Sequence, residues 1–171
     1  MRRRGGFTLI ELLVTVGIVS VIAGALVLYN RTAEQQILLA KSVAEVLSVL
    51  SRARSSAVAG LFDESKNVCG YGVSFSMPGT MIFFRDVAPC DQKYTSPGGN
   101  AASCVSSDVE CVEKIVLNDK VKFASLGLAN IDFVPPNPNV FIDQGAKQSA
   151  IIELATVNGN AASKIKVTNA G

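Results

Sequence analysis

The chain has 171 residues, 49% of them hydrophobic and 18% charged, with 16 Lys and Arg against 14 Asp and Glu. That length and apolar content suit one domain with a real core plus an appendage, and they exclude a disordered chain; a net charge of +2 excludes a strongly basic nucleic-acid binder as a whole-chain property. With no His, the chain also excludes Ser-His-Asp hydrolysis, histidine acid–base catalysis and most zinc enzymes.

The apolar residues are concentrated at the start. After Arg2, Arg3 and Arg4, residues Leu12 to Leu28 run 17 positions without a charge, and Phe7 to Asn30 form a 24-residue stretch interrupted only by Glu11. About 20 apolar residues in a helix match a hydrocarbon core of about 30 Å. The Arg cluster keeps its own end in the cytoplasm and sends the rest of the chain across. A cleaved secretory signal, with Ala23-Gly24-Ala25 as its processing site, and an uncleaved anchor both fit this pattern. Neither accounts for Glu11, since an acid inside an apolar span costs about 2.5–3.5 kcal/mol unless it finds a partner or rests at the headgroups.

Past Tyr29 the pattern becomes amphipathic. Glu34, Lys41, Glu45, Ser48, Arg52 and Ser55 form a polar face, opposite Ile37, Ala40, Val43, Leu47, Leu50, Ala53 and Ala57. No Pro falls between residues 7 and 59, and Gly60 can cap, so the spacing predicts one helix of about 80 Å with weak points at Gly17, Gly24 and Asn30.

From residue 61 the chain reads as strands and turns. Period-2 alternation marks Val68–Ser76, Met81–Phe84, Ile115/Leu117, Val121/Phe123, Ile131/Phe133 and Val140/Ile142. Met77-Pro78-Gly79-Thr80 carries the residues of a type II turn, and Asn158-Gly159 joins Ala150–Val157 to Ala162–Thr168 as a hairpin. Asp91–Asn100 reads as a surface loop, and Pro135-Pro136-Asn137-Pro138 as a loop or sheet edge. Six to eight strands after one helix give an α+β fold, with antiparallel sheet covering the helix's apolar face.

Gly6-Phe7-Thr8-Leu9-Ile10-Glu11 behind an Arg-rich head resembles the class III signal of type IV pilins and type II secretion pseudopilins. The resemblance implies that a prepilin peptidase cuts after Gly6 and methylates Phe7, and that the hydrophobic helix is kept. It also implies that Glu11 neutralises the N-terminal amine of a neighbouring subunit during assembly. The segments implied are a leader at 1–6, a membrane and filament-core helix at 7–30, an amphipathic helix half at 31–60 and an exported β-rich domain at 61–171. Leu50, Ala53-Arg54-Ser55 and Ala57, with the ending Lys164–Gly171, resemble the GspH/FimT type of minor pseudopilin. Leu28 stands where many major pilins have a Pro. The partners implied are prepilin peptidase, other subunits, an inner-membrane assembly platform and a secreted substrate. The location implied is the inner membrane, single-pass, with the C-terminal domain in the periplasm or outside, and the chain joins a filament once assembled.

Cys69, Cys90, Cys104 and Cys111 all lie in the expected exported part, where an even count reads as two disulfides. Three connectivities exist. If Ser76 and Met81 flank the first turn, Cys69 falls opposite Ala88, two positions from Cys90, which favours Cys69–Cys90 with Cys104–Cys111. There is no CxxC, no phosphate loop and no nucleophile elbow, so no catalytic, metal or cofactor site is expected. Asp63/Glu64 and Asp108/Glu110 read as solvated turn residues. The alternative function is a DNA-binding minor pilin in uptake, resting on Lys164 and Lys166 along one strand face and Lys120 and Lys122 along another. Removing Arg2–Arg4 with the leader leaves 13 basic against 14 acidic residues, so the positive charge is a topology signal rather than a surface property.

Overall fold

The computed structural model describes residues 8–59, 67–96, 103–105, 107–135 and 139–169, with the backbone alone over 27–32. Helix α1 spans Leu9–Val58. Eight strands follow: β1 Val68–Ser76, β2 Thr80–Val87, β3 Cys111–Val116, β4 Val121–Leu126, β5 Asn130–Val134, β6 Asn139–Ile142, β7 Ser149–Thr156 and β8 Ala162–Thr168. The architecture is the expected α+β one. The chain divides into two compact units, Met1–Ile37 and Leu38–Gly171.

In the first unit, α1 starts at a capped end. Thr8 precedes the helix, its hydroxyl accepts the Glu11 amide at 3.4 Å, and its carbonyl accepts the amides of Glu11 and Leu12. Thr8-x-x-Glu11 is the spacing of a capping box. Further along, the Thr15 hydroxyl donates to the Leu12 carbonyl at 2.9 Å and Ser20 to Val16 at 2.8 Å. Both hydroxyls are thus satisfied by the helix itself, which suits an apolar solvent. Leu9–Leu26 has a mean hydropathy of 2.4, and none of it is buried within the chain. An apolar surface of this extent needs lipid or neighbouring subunits to cover it.

In the second unit, a five-stranded antiparallel sheet has the order β3-β2-β1-β5-β6, and a three-stranded one has the order β4-β7-β8. One core joins α1 to a face of each sheet: Val46, Val49 and Ala53 meet Val73, Phe75, Met81 and Ile131 from the first sheet and Phe123, Ile152 and Leu154 from the second. The buried helix stripe is Leu39, Ser42, Val46, Val49, Ala53 and Ala57. This corrects the expected stripe over its first two turns and more. Ile37 and Leu47 are exposed, while Val43 and Leu50 lie half-buried at the margin. Apolar residues almost encircle this part of the helix, so periodicity alone leaves its rotation undetermined. On the polar side Arg52 pairs with Glu113 and lies 5.0 Å over the Phe83 ring.

The first hairpin is one residue tighter than expected. Ser76 pairs with Thr80 and Phe75 with Met81, leaving a three-residue connection. Gly79 does not take the positive φ that a type II turn demands at its third position. Instead the turn is tied to its neighbours: the Leu117 amide donates to the Gly79 carbonyl at 2.8 Å and the Phe123 amide to the Pro78 carbonyl at 2.7 Å. The turn therefore links the two sheets. The second hairpin closes through a five-residue loop with Gly159 at φ 73°, and its strands lie within a residue of those expected.

Candidate functional site

Two regions carry the residues singled out from the sequence. Gly6 and Phe7 lie outside the described residues, as do Asp63 and Glu64. Glu11 is the third residue of α1, exposed, inside the apolar span that starts at Leu9. The capping of its amide by Thr8 is a local role that the resemblance did not imply.

The second region is the outer face of the five-stranded sheet, away from α1. Cys69 bonds to Cys90 and Cys104 to Cys111, with Cα separations of 5.7 Å in each case. These are the pairs that hairpin geometry favours, although the register is shifted. Val68 pairs with Val87 and Gly70 with Asp86, so a bulge takes Cys69 out of the ladder, while the Cys90 amide donates to the Val87 carbonyl at 2.9 Å and turns the chain back toward it. Replacing both Cys69 and Cys90 by Ser is expected to lower stability by about 3 kcal/mol, and Cys104 with Cys111 by about 2 kcal/mol, since the loops span 21 and 7 residues. Urea midpoints measured without reductant check this order; equal losses would refute the loop-length account.

The segment after Cys90 is not the solvated loop expected. Tyr94 and Ser96 are buried, and Tyr94 packs on Ile82 and Phe84 with Cys104 and Cys111 against them. The Tyr94 hydroxyl bonds to the Asp108 carboxylate and lies against the Ser103 carbonyl. Burial, reinforced by Asp108, pushes its pKa up to about 12. Asp108 also accepts the Glu110 amide at 3.0 Å, and Glu110 accepts the Thr95 amide at 2.8 Å. Asp108 and Glu110 are therefore buried organisers of this layer rather than solvated turn residues. Burial raises the Glu110 pKa despite the Thr95 amide.

Beneath this layer lie two acids that the sequence reading passed over. Gly70 faces Asp86 on β2, and Gly72 faces Asp132 on β5, so all four share one face. A Cβ on Gly70 would stand 2.8 Å from Asp132 Oδ2, and one on Gly72 would stand 2.4 Å from the Ile131 carbonyl and 2.5 Å from the Phe84 ring. The two glycines thus form a trough filled by the Asp132 carboxyl and the Phe84 ring; the Gly-x-Gly spacing within a strand was the available signal. Asp86 and Asp132 are fully buried. Asp86 accepts the Gln92 amide at 3.0 Å through one oxygen. Its other oxygen and both oxygens of Asp132 have no hydrogen-bond partner among the described residues. Burial first, then the neighbouring Asp86, carries the Asp132 pKa up to about 7 against a lowering influence of the Phe133 amide. Burial raises Asp86 as well. Among the described residues no group of three or more His, Cys, Asp or Glu could hold a metal ion.

Residues 1–27 match the family model described as the prokaryotic N-terminal methylation motif. The matched segment is type IV pilin-like. It implies processing by a prepilin peptidase and assembly with other pilin subunits. Together with the Leu9–Leu26 span it points to anchoring by a single N-terminal helix. No curated protein and no solved structure matches the chain.

Proposed function

We propose that the protein is a minor pseudopilin or minor pilin, a non-catalytic subunit of a type II secretion pseudopilus or type IV pilus. The observation that carries this reading is the methylation motif at 1–27 joined to an apolar span whose described side chains are all exposed. In this reading residues 1–6 are the leader, cut between Gly6 and Phe7, and Phe7 is methylated. Residues 7–30 anchor the chain in the inner membrane and later pack in the filament. Residues 31–60 are the amphipathic half, and 61–171 form the domain held in the periplasm or outside, near the filament tip. Two disulfides in that domain support an oxidising compartment. The partners are then the peptidase, other subunits, the assembly platform and a secreted substrate. The strand lysines give little support to the DNA-uptake alternative, since Lys164 stands 3.7 Å from Glu153.

Mass spectrometry of the mature N-terminus tests the reading. The expected result is a chain starting at methylated Phe7. A start at Leu26, as after ordinary signal cleavage, would overturn it.

A further inference from the structure

We infer that a groove beside β8 receives an extended, acidic strand from a partner protein. The groove has a volume of about 310 Å³ and is floored by Leu47 and Leu50 of α1, Phe133 and Val140 of the five-stranded sheet, and Ile165 and Val167 of β8. Four consecutive residues of β8, Ile165 to Thr168, line it. Since alternate side chains of a strand point to opposite faces, a groove touched by consecutive residues runs along the strand's edge. That edge is open. β8 is the last strand of its sheet and pairs only with β7, so half of its backbone amides and carbonyls turn outward.

An apolar trough beside an unpaired edge is the geometry of strand addition, in which backbone hydrogen bonds supply affinity and alternate side chains supply specificity. The charge on the rim selects the occupant. Arg54 and Lys166 border the groove, both exposed, and neither has an acidic partner among the described residues, in contrast to Arg52 and Lys164. Two unpaired cations over an apolar floor favour a strand of alternating aliphatic residues that ends in carboxylates. Leu47, displaced from the core stripe, gives the occupant an apolar contact on the helix side. This surface lies beyond the assembly reading and does not rest on it, because binding can be measured whether or not the N-terminus is processed.

The test uses the full chain in non-ionic detergent and a fluorescein-labelled peptide of about ten residues, matching a long strand, with alternating Val and Thr and an Asp-Glu end. Fluorescence anisotropy should show saturable binding, weakened at least tenfold or so in the Arg54→Glu/Lys166→Glu double variant. A peptide ending in Lys-Lys, and one with Pro at two central positions, should fail to bind. Both substitutions are on exposed side chains, and a circular dichroism spectrum matching the parent's shows that the fold is kept. Equal binding of the Lys-ended or Pro-containing peptide, or of the double variant, would overturn the proposal. So would absence of peptide binding together with self-association that Leu47→Glu disperses, which would assign the groove to a second copy of the chain.

Discussion

Glu11→Ala is expected to leave the chain processed and inserted but reduce its recovery in sheared filaments about a hundredfold. A carboxylate within an apolar span costs about 2.5–3.5 kcal/mol, and each 1.4 kcal/mol is a factor of ten. If a neighbouring subunit's amine cancels that cost on assembly, the acid drives the chain out of the bilayer and into the filament; alanine removes the drive. The structure adds a rival explanation, because Glu11 also stands at the capping-box position behind Thr8. Glu11→Gln separates the two. Glutamine serves a capping box but carries no charge. Filament recovery with Gln as poor as with Ala would assign the role to the charge; recovery restored by Gln would assign it to the helix cap, and the assembly role of Glu11 would fall.

Much of the fold was readable because its signals are local. The apolar span, the alternation of the strands and Gly159 each act over a few residues, and the corresponding elements appear where the pattern places them, although β2, β3 and β4 run three or four residues beyond the alternation that marks them. The helix rotation was not readable in this way. Around Ile37–Leu50 apolar residues occupy nearly every direction, so the contact made with Phe75, Phe123 and Ile131, far along the chain, decides which of them are buried. The disulfide pairing matches despite a one-residue error in register because the chain turns back after β2, where the Cys90 amide donates to the Val87 carbonyl at 2.9 Å. The acids show the opposite limit. Asp108 and Glu110 have the composition of a solvated turn, and only the return of Tyr94 and Thr95 over the sheet encloses them. Asp86 and Asp132 are 46 positions apart. Only the pairing of β1 with both β2 and β5 brings them to one face; the local Gly70-x-Gly72 spacing signals a close approach there but not which side chains make it.

That buried pair sets the protein's dependence on pH. An Asp132 whose pKa rises to about 7 from 3.8 keeps its proton in the folded state over a range where the unfolded chain has lost it. Between those values the folded state binds more protons, so stability falls as pH rises. The cost is absent below about pH 4, grows through pH 7, and then stays at about 4 kcal/mol, at 1.36 kcal/mol for each unit. Asp86 and Glu110, raised in the same direction, add to the slope. Asp143 acts against it but outside this window. Its own burial would raise it, yet the Lys147 ammonium at 2.6 Å and the amides of Asn130 and Ala129 lower it, so its contribution is lost only on further acidification. Asp132→Asn keeps the shape and removes the ionisation. Denaturant unfolding of the full chain in detergent should therefore find the variant more stable by up to about 4 kcal/mol at pH 8, with the advantage shrinking to near zero at pH 4. An advantage that does not change with pH would mean that the gain comes from packing or hydrogen bonding. No advantage at pH 8 would mean that the pair holds its charge at no cost, and that the three unpartnered oxygens are matched by something other than a proton.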